Sequence, residues 1–239
     1  MRRRHQLPIC AKIPGIKFDI ESLKKEMVQI SDKWANVFQA NRGLCSVHEE
    51  LADNNYHHFD QITLTYFQES LLEEVKDIKQ LKKECSNNSD MFKEGKSKHA
   101  RYKIQTKRLE GLPPAMNEHN WWHPLDYYKG SYIEKAITSQ FEATPIRVRL
   151  TRIRAGQYLT PHMDYDTTYA IRIIVPIEGD KDVYNHFWPK NKKVTYELKA
   201  DGSAYFLNVG YKHSVEHNGD NDRIALMFSL PSQEDIKEL

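Results

Sequence analysis

Cysteine is scarce in this chain of 239 residues: Cys10, Cys45 and Cys85 are odd in number and no two form a Cys-x-x-Cys pair. They argue against a disulfide framework or a thiolate metal site, and read as free thiols in a reducing compartment. Also missing is any apolar run near the ~20 residues that cross a bilayer. The basic start is followed by Pro8, Lys12, Pro14 and Gly15, which interrupt the apolar stretch a secretory leader needs. Cytoplasm is the expected compartment, with no membrane partner. A one-sided charge is absent too, since 35 basic against 33 acidic residues leave +2. That balance speaks against nucleic acid as an obligatory partner, because duplex binders carry a clear basic surplus. Arg2-Arg3-Arg4 read as an exposed terminus. No internal repeat is visible. Apolar residues make up 39%, enough for a packed core.

What is present divides into two parts. Asp19 caps an expected helix to about Asn36, with Leu23, Met27, Ile30 and Trp34 on one stripe. A second helical stretch is expected over 63–85, then a polar mobile loop over 85–108. The aromatic, proline-marked segment Leu112 to Pro124 follows, and a short helix is expected from Gly130 to Phe141. Residues 1–144 thus read as a mainly helical region. From 145 to 239 the pattern becomes that of strands. Ile146–Arg154 alternates apolar and polar residues, and Tyr169–Ile177, Val194–Leu198, Tyr205–Val209 and Ile224–Leu230 are β-prone, with a turn at Asp201-Gly202. The expected class is α+β: a β-rich jelly-roll (double-stranded β-helix, cupin-like) core with the N-terminal helices packed outside, together one compact domain.

Chemistry concentrates in Thr160-Pro161-His162-Met163-Asp164. On extended backbone, residues two apart face the same way, so His162 and Asp164 converge. His213, 51 residues on, is the natural third ligand from a neighbouring strand. Two imidazoles and a carboxylate on one face of an octahedron leave three positions open, the arrangement of non-haem Fe(II) oxygenases. A lone His-x-Asp among eleven histidines is a weak signal, but the distal segment strengthens it. Arg223 stands ten residues after His213 and opens a strand, where its planar fork can take a carboxylate in two bonds. Counting back from Pro176 puts Arg172 on the interior face, where an arginine needs an anion. With opposite parity it faces solvent.

Ile146 to Leu230 resembles the aspartyl/asparaginyl β-hydroxylase-like branch of the 2-oxoglutarate oxygenases. The shared features are the proximal His162, the distal His213-Ser214-Val215, and Arg223 ahead of an apolar strand. The resemblance implies Fe(II), 2-oxoglutarate and O₂, with metal ligands His162, Asp164 and His213. It further implies the cosubstrate's distal carboxylate on Arg223 and on Thr151, eleven residues before His162. Arg172, Asn208 and His217 are candidate contacts to cosubstrate or substrate; His217 has the alternative of capping the turn before Gly219. Asp164 is a departure from the animal enzyme that names the branch, and is shared with bacterial small-molecule relatives. The implied reaction is hydroxylation of an unactivated C–H bond in an amino acid or an amino-acid-derived or peptidyl substrate. The competing reading is a non-catalytic or zinc-type metal-binding β-barrel acting as sensor or adaptor.

Overall fold

The computed structural model of the chain describes residues 1–36, 59–66, 118–179 and 181–239. The strands are β1 (Cys10–Lys17), β2 (Ala35–Asn36), β3 (Asp60–Thr63), β4 (Thr65–Tyr66), β5 (His123–Pro124), β6 (Ile146–Ile153) and β7 (Tyr158–His162). After them come β8 (Ile171–Glu178), β9 (Val183–Phe187), β10 (Val194–Tyr196), β11 (Ser203–Leu207), β12 (His213–His217) and β13 (Arg223–Leu230). Two α-helices are described, α1 (Ile20–Gln29) and α2 (Tyr132–Thr138).

Strands β6 to β13 build two antiparallel sheets. One has the order β11-β8-β13-β6, extended by β1 at one edge and by β3-β2 at the other; the second has the order β10-β9-β12-β7. Successive strands pass between the two sheets, except for the hairpin β9-β10. This is a jelly roll, in which two facing sheets enclose the space between them. A separate ribbon pairs β4 with β5.

Alternation divides the large sheet into two faces. Val148 and Leu150 of β6, Ile171, Ile173 and Val175 of β8, and Leu226, Phe228 and Leu230 of β13 are buried in one cluster with Leu23 and Met27 of α1 and Ile133 and Ile137 of α2. Each such fully buried side chain stabilises by ~1.5–3 kcal/mol. Asp19 caps α1 by accepting from Glu21 N, and Ser131 caps α2 by accepting from Glu134 N. The opposite face looks toward the small sheet and is unusually polar, with Arg149, Thr151, Arg172, Arg223 and Ser229 all buried.

Several elements differ from the sequence expectation. α1 ends at Gln29, and after a 3₁₀ turn the chain becomes β2, so Trp34 lies off the helix. Its ring instead stacks on Arg152, whose Cζ is 4.6 Å from the ring centroid. Where the second helix was expected to begin, Thr63 ends β3 and Thr65–Tyr66 form β4; the rest of that stretch and the loop 85–108 lie outside the described residues. Cys10–Lys17 is a strand despite Pro14 and Gly15, because it is an edge strand and Gly15 takes φ +75° where the pairing shifts. The Arg2-Arg3-Arg4 start is tied down: Arg2 N donates to Gln233 Oε1 at 2.7 Å, and Arg4 Nη1 to Gly210 O at 2.5 Å. Among the described residues no helix is long and apolar enough to cross a membrane.

Candidate metal centre

Strands β7 and β12 are antiparallel neighbours, and their register is irregular. Val215 faces Leu159 and Glu216 faces Tyr158, so a regular ladder would set His213 against Pro161; it faces His162 instead. The extra residue is a bulge at Thr160-Pro161, where a proline with no N–H to give is tolerated. The bulge makes the two histidines a direct cross-strand pair, with ring centroids 4.3 Å apart. Strand β7 ends at His162, so Asp164 lies on the connection that follows it. Its N–H donates to Val209 O at 3.1 Å, which fixes the carboxylate beside the rings.

The ligand atoms of His162, Asp164 and His213 all lie within 4.8 Å of one another, and His162 Nε2 is 3.6 Å from Asp164 Oδ1. Neighbouring ligands around a first-row divalent ion, with bonds of about 2.1 Å, sit about 3 Å apart, so small side-chain rotations close the set. Both imidazoles are oriented by the chain itself. His162 Nδ1–H donates to Thr160 O at 2.7 Å, and His213 Nδ1–H donates to Tyr211 O at 3.0 Å. A carbonyl only accepts, so each Nδ1 carries the hydrogen and each Nε2 offers its lone pair inward, the tautomer a metal needs. Burial, and then the His162 charge, push the His213 pKa down to about 4, so it is neutral at physiological pH. Burial would raise the Asp164 pKa, but Arg172, the two histidines and Arg147 outweigh it and hold the carboxyl far below its usual range. Two imidazoles, each with its Nε2 lone pair turned inward, and one carboxylate fit a borderline divalent cation.

Arg223 and Thr151 lie on the inward face of the large sheet. Arg223 is opposite Ile153 and Ala225 is opposite Thr151, so the two are diagonal neighbours. Arg223 is 3% exposed, and burial lowers its pKa to about 10. Among the described residues its guanidinium has no hydrogen bond or ion pair, whereas Thr151 Oγ1 donates to Ala225 O at a long 3.3 Å. Arg172 also faces inward. Its Nε donates to Tyr165 Oη at 3.0 Å, its Nη1 to Met227 Sδ at 3.2 Å, and its Nη2 is 3.4 Å from Asp164 Oδ2. The other two candidates have partners elsewhere, and Asn208 Oδ1 is buried without one. Asn208 Nδ2 donates to Arg4 O and Pro8 O, holding the N-terminal segment. His217 uses both ring nitrogens in its own turn, with Asn221 O at 2.6 Å and Gly219 N at 3.4 Å, which is the capping alternative.

Sequence reasoning missed Arg147, Arg149, Glu118, Tyr165 and Met227. Arg147 has φ +50° at a bulge where Met227 faces Arg149 but Ser229 faces Ile146. A non-glycine residue there stores roughly 1–3 kcal/mol of strain, and the bulge turns its guanidinium onto Glu118, which it meets in an ion pair. The signal was available: Arg147, Arg149 and Thr151 are the polar half of the alternation in β6, but alternation does not say which face is the interior. On β9, His186 is buried and pairs with Thr195 Oγ1 and Glu216 Oε2, both at 2.9 Å.

No protein-family model matches the sequence, and no curated protein does. Among solved structures the chain is similar to an oxidoreductase of the 2OG-Fe(II) oxygenase family from Burkholderia pseudomallei, at 10% identity over 94% of this chain and 86% of that one, with a TM-score of 0.46. It is also similar to a cupin domain from Bordetella pertussis, at 17% identity over 39% of this chain and 88% of that one, TM-score 0.29. A predicted oxalate decarboxylase from Thermotoga maritima aligns at 17% identity over 41% and 74%, TM-score 0.27. The architecture given above rests on this chain's own strand order.

Proposed function

We propose that this chain is an Fe(II)- and 2-oxoglutarate-dependent dioxygenase of the aspartyl/asparaginyl β-hydroxylase-like kind, hydroxylating an unactivated C–H bond of an amino acid or an amino-acid-derived or peptidyl substrate. The observation that carries this reading is the convergence of His162, Asp164 and His213 on one point, with both Nε2 lone pairs turned inward by backbone carbonyls. When bound, iron and 2-oxoglutarate supply the oxidation: one atom of O₂ enters the substrate C–H bond, the other enters succinate, and CO₂ leaves.

The chain's own residues do the rest. Arg223, buried and unpartnered among the described residues, gives the distal carboxylate of 2-oxoglutarate a two-pronged donor in a site of low dielectric. Thr151 turns its hydroxyl from Ala225 O to the same carboxylate. Asp164 stays ionised across the working pH range and supplies the one anionic ligand. The buried walls of the roll exclude water from the reacting centre.

Anaerobic titration of the protein with Fe(II) and then 2-oxoglutarate is expected to give the weak visible band of the iron–keto-acid chelate. His162→Ala abolishes it, and Arg223→Met weakens 2-oxoglutarate binding by about 2–4 kcal/mol, since the diacid then buries an unpaired carboxylate. Metal binding with no response to 2-oxoglutarate defeats this reading in favour of a metal-binding barrel without this chemistry.

A further inference from the structure

The interior holds more positive charge than the proposed cosubstrate uses. Arg147, Arg149 and Arg172 crowd together behind the metal ligands, and Arg149 and Arg172 are 4% and 3% exposed. Two carboxylates face them. Glu118 is taken up by Arg147 and stands 3.6 Å from Arg172 Nη2, while Asp164 is committed to the metal position. Arg149 has no carboxylate among the described residues: its Nη1 donates to Arg147 O at 3.0 Å, its Nη2 reaches Met227 Sδ at 3.1 Å, and its Nε is buried without a partner. Arg172 Nη2 is likewise buried without a hydrogen bond. Two guanidiniums thus share a thioether sulfur, one of the weakest acceptors a protein offers. Burying a guanidinium without an anion is costly enough that such a group is normally paired.

Arg223 does not draw on this cluster. Arg223 and Met227 lie on the same face of β13 four residues apart, or ~13 Å at strand rise. A five-carbon diacid reaching from Arg223 to the metal position has both of its carboxylates engaged at those two points, so Arg149, whose guanidinium contacts Met227, is left for another anion. We infer that Arg149 and Arg172, joined across Met227, form a second anion site that takes a carboxylate of the substrate, so that the substrate class is a carboxylic acid rather than its amide or a neutral side chain. Arg149 Nε, buried without a partner, is the donor that meets it, beside Arg172 Nη2, which also stands 3.4 Å from Asp164 Oδ2 and 3.6 Å from Glu118 Oε2. Entry is past the metal ligands, where the side chains of His162 and Asp164 keep 26% and 29% exposure. The inference rests on the dioxygenase reading for what lies beside the site.

The test uses the intact protein, anaerobic, with Fe(II) and 2-oxoglutarate bound. A panel of L-amino acids and short aliphatic acids, each paired with its carboxamide, is scored by thermal shift and by perturbation of the chelate band; inorganic phosphate is a further probe. At least one acid is expected to bind ~10-fold or more tightly than its amide, the discrimination that one charge-assisted pair supplies. Arg149→Met is expected to erase that preference while leaving the 2-oxoglutarate titration unchanged, and Arg149→Lys to restore part of it. Equal binding of acids and amides, no binding at all, or preference for phosphate overturns the site, and the wild-type arm gives these results even if a variant fails to fold. Loss of the chelate in Arg149→Met, as in Arg223→Met, assigns the pair to the cosubstrate and overturns it as well. Failure of the wild type to form the chelate sinks the dioxygenase reading itself, a result distinct from these.

Discussion

Tyr165 shows how closely the interior polar groups depend on one another. Its hydroxyl accepts from Arg172 Nε at 3.0 Å and so donates to Ser229 Oγ at 2.6 Å, all three groups being buried. Tyr165→Phe removes one oxygen and leaves two groups without partners, and is expected to lower stability by about 1–3 kcal/mol in urea unfolding. At this scale the sequence was informative where chemistry forces a residue type. His162, Asp164 and His213 were legible because the distal His213 segment strengthens a weak His-x-Asp signal, whereas the sequence left the parity of Arg172 open, and its pairing against Ser229 of β13 turns it inward. Arg149 was not legible. An arginine on an alternating strand looks the same whether it faces water or a site, and only the closure of the second sheet over β6 decides.

Elements place these residues, and two of the placements can be tested. Gly179, at φ +65° after β8, approaches the start of β13 so closely that an added Cβ meets Asp222 O at 2.5 Å and Arg223 Cα at 2.8 Å. Gly179→Ala therefore pushes directly on the residue assigned to the cosubstrate. A loss of at least about 1–3 kcal/mol is expected from the backbone conformation alone, together with weaker 2-oxoglutarate binding in the anaerobic titration. At the other edge, Asp60 on β3 accepts from Arg152 Nη2 at 2.7 Å and Arg154 Nη2 at 3.0 Å. Burial raises the Asp60 pKa, but hydrogen bonds from these arginines outweigh it and leave the pKa below its ordinary value. A depressed carboxylate contributes stability above its unfolded pKa and loses it as pH falls through the folded one. Asp60→Asn is thus expected to cost about 1–2 kcal/mol at neutral pH, with the gap to wild type closing below about pH 4; urea midpoints across pH check both. Strands with clean alternation, β6 and β13, were legible. β9 was not, because Asn185 and His186 are both buried and blur the period. The bulges at Thr160-Pro161 and Arg147 leave no sequence period at all, yet they set His162 against His213 and turn Arg147 onto Glu118.

For the whole molecule, the centre joins β7, β12 and the connection after β7, so anything bound there holds the small sheet together. A ligand that binds only the folded chain at a hundredfold over its dissociation constant stabilises it by about 2.7 kcal/mol, or about 5–10 °C in Tm for a chain of this size. Anaerobic Fe(II) with 2-oxoglutarate is expected to give a rise of that order, absent in His162→Ala. The jelly roll itself was legible because five of its last eight strands, β6, β8, β10, β11 and β13, read as short β-prone runs close together in the sequence. The contribution of β1, β2 and β3 to the large sheet was not, since these pairings join residues far apart in the chain.

Arg172 Nη2 stands 3.4 Å from the carboxylate of Asp164, and that nearness sets a reach. With metal–oxygen bonds of about 2.1 Å, the guanidinium nitrogen lies no more than about 8 Å from the ion. A carboxylate gripped there leaves little chain between its anchored end and the oxidant. On the proposed reading the carbon attacked falls only a few bonds from the acid group, so regiochemistry is measured from the carboxyl end, and remote positions on long acids lie out of reach.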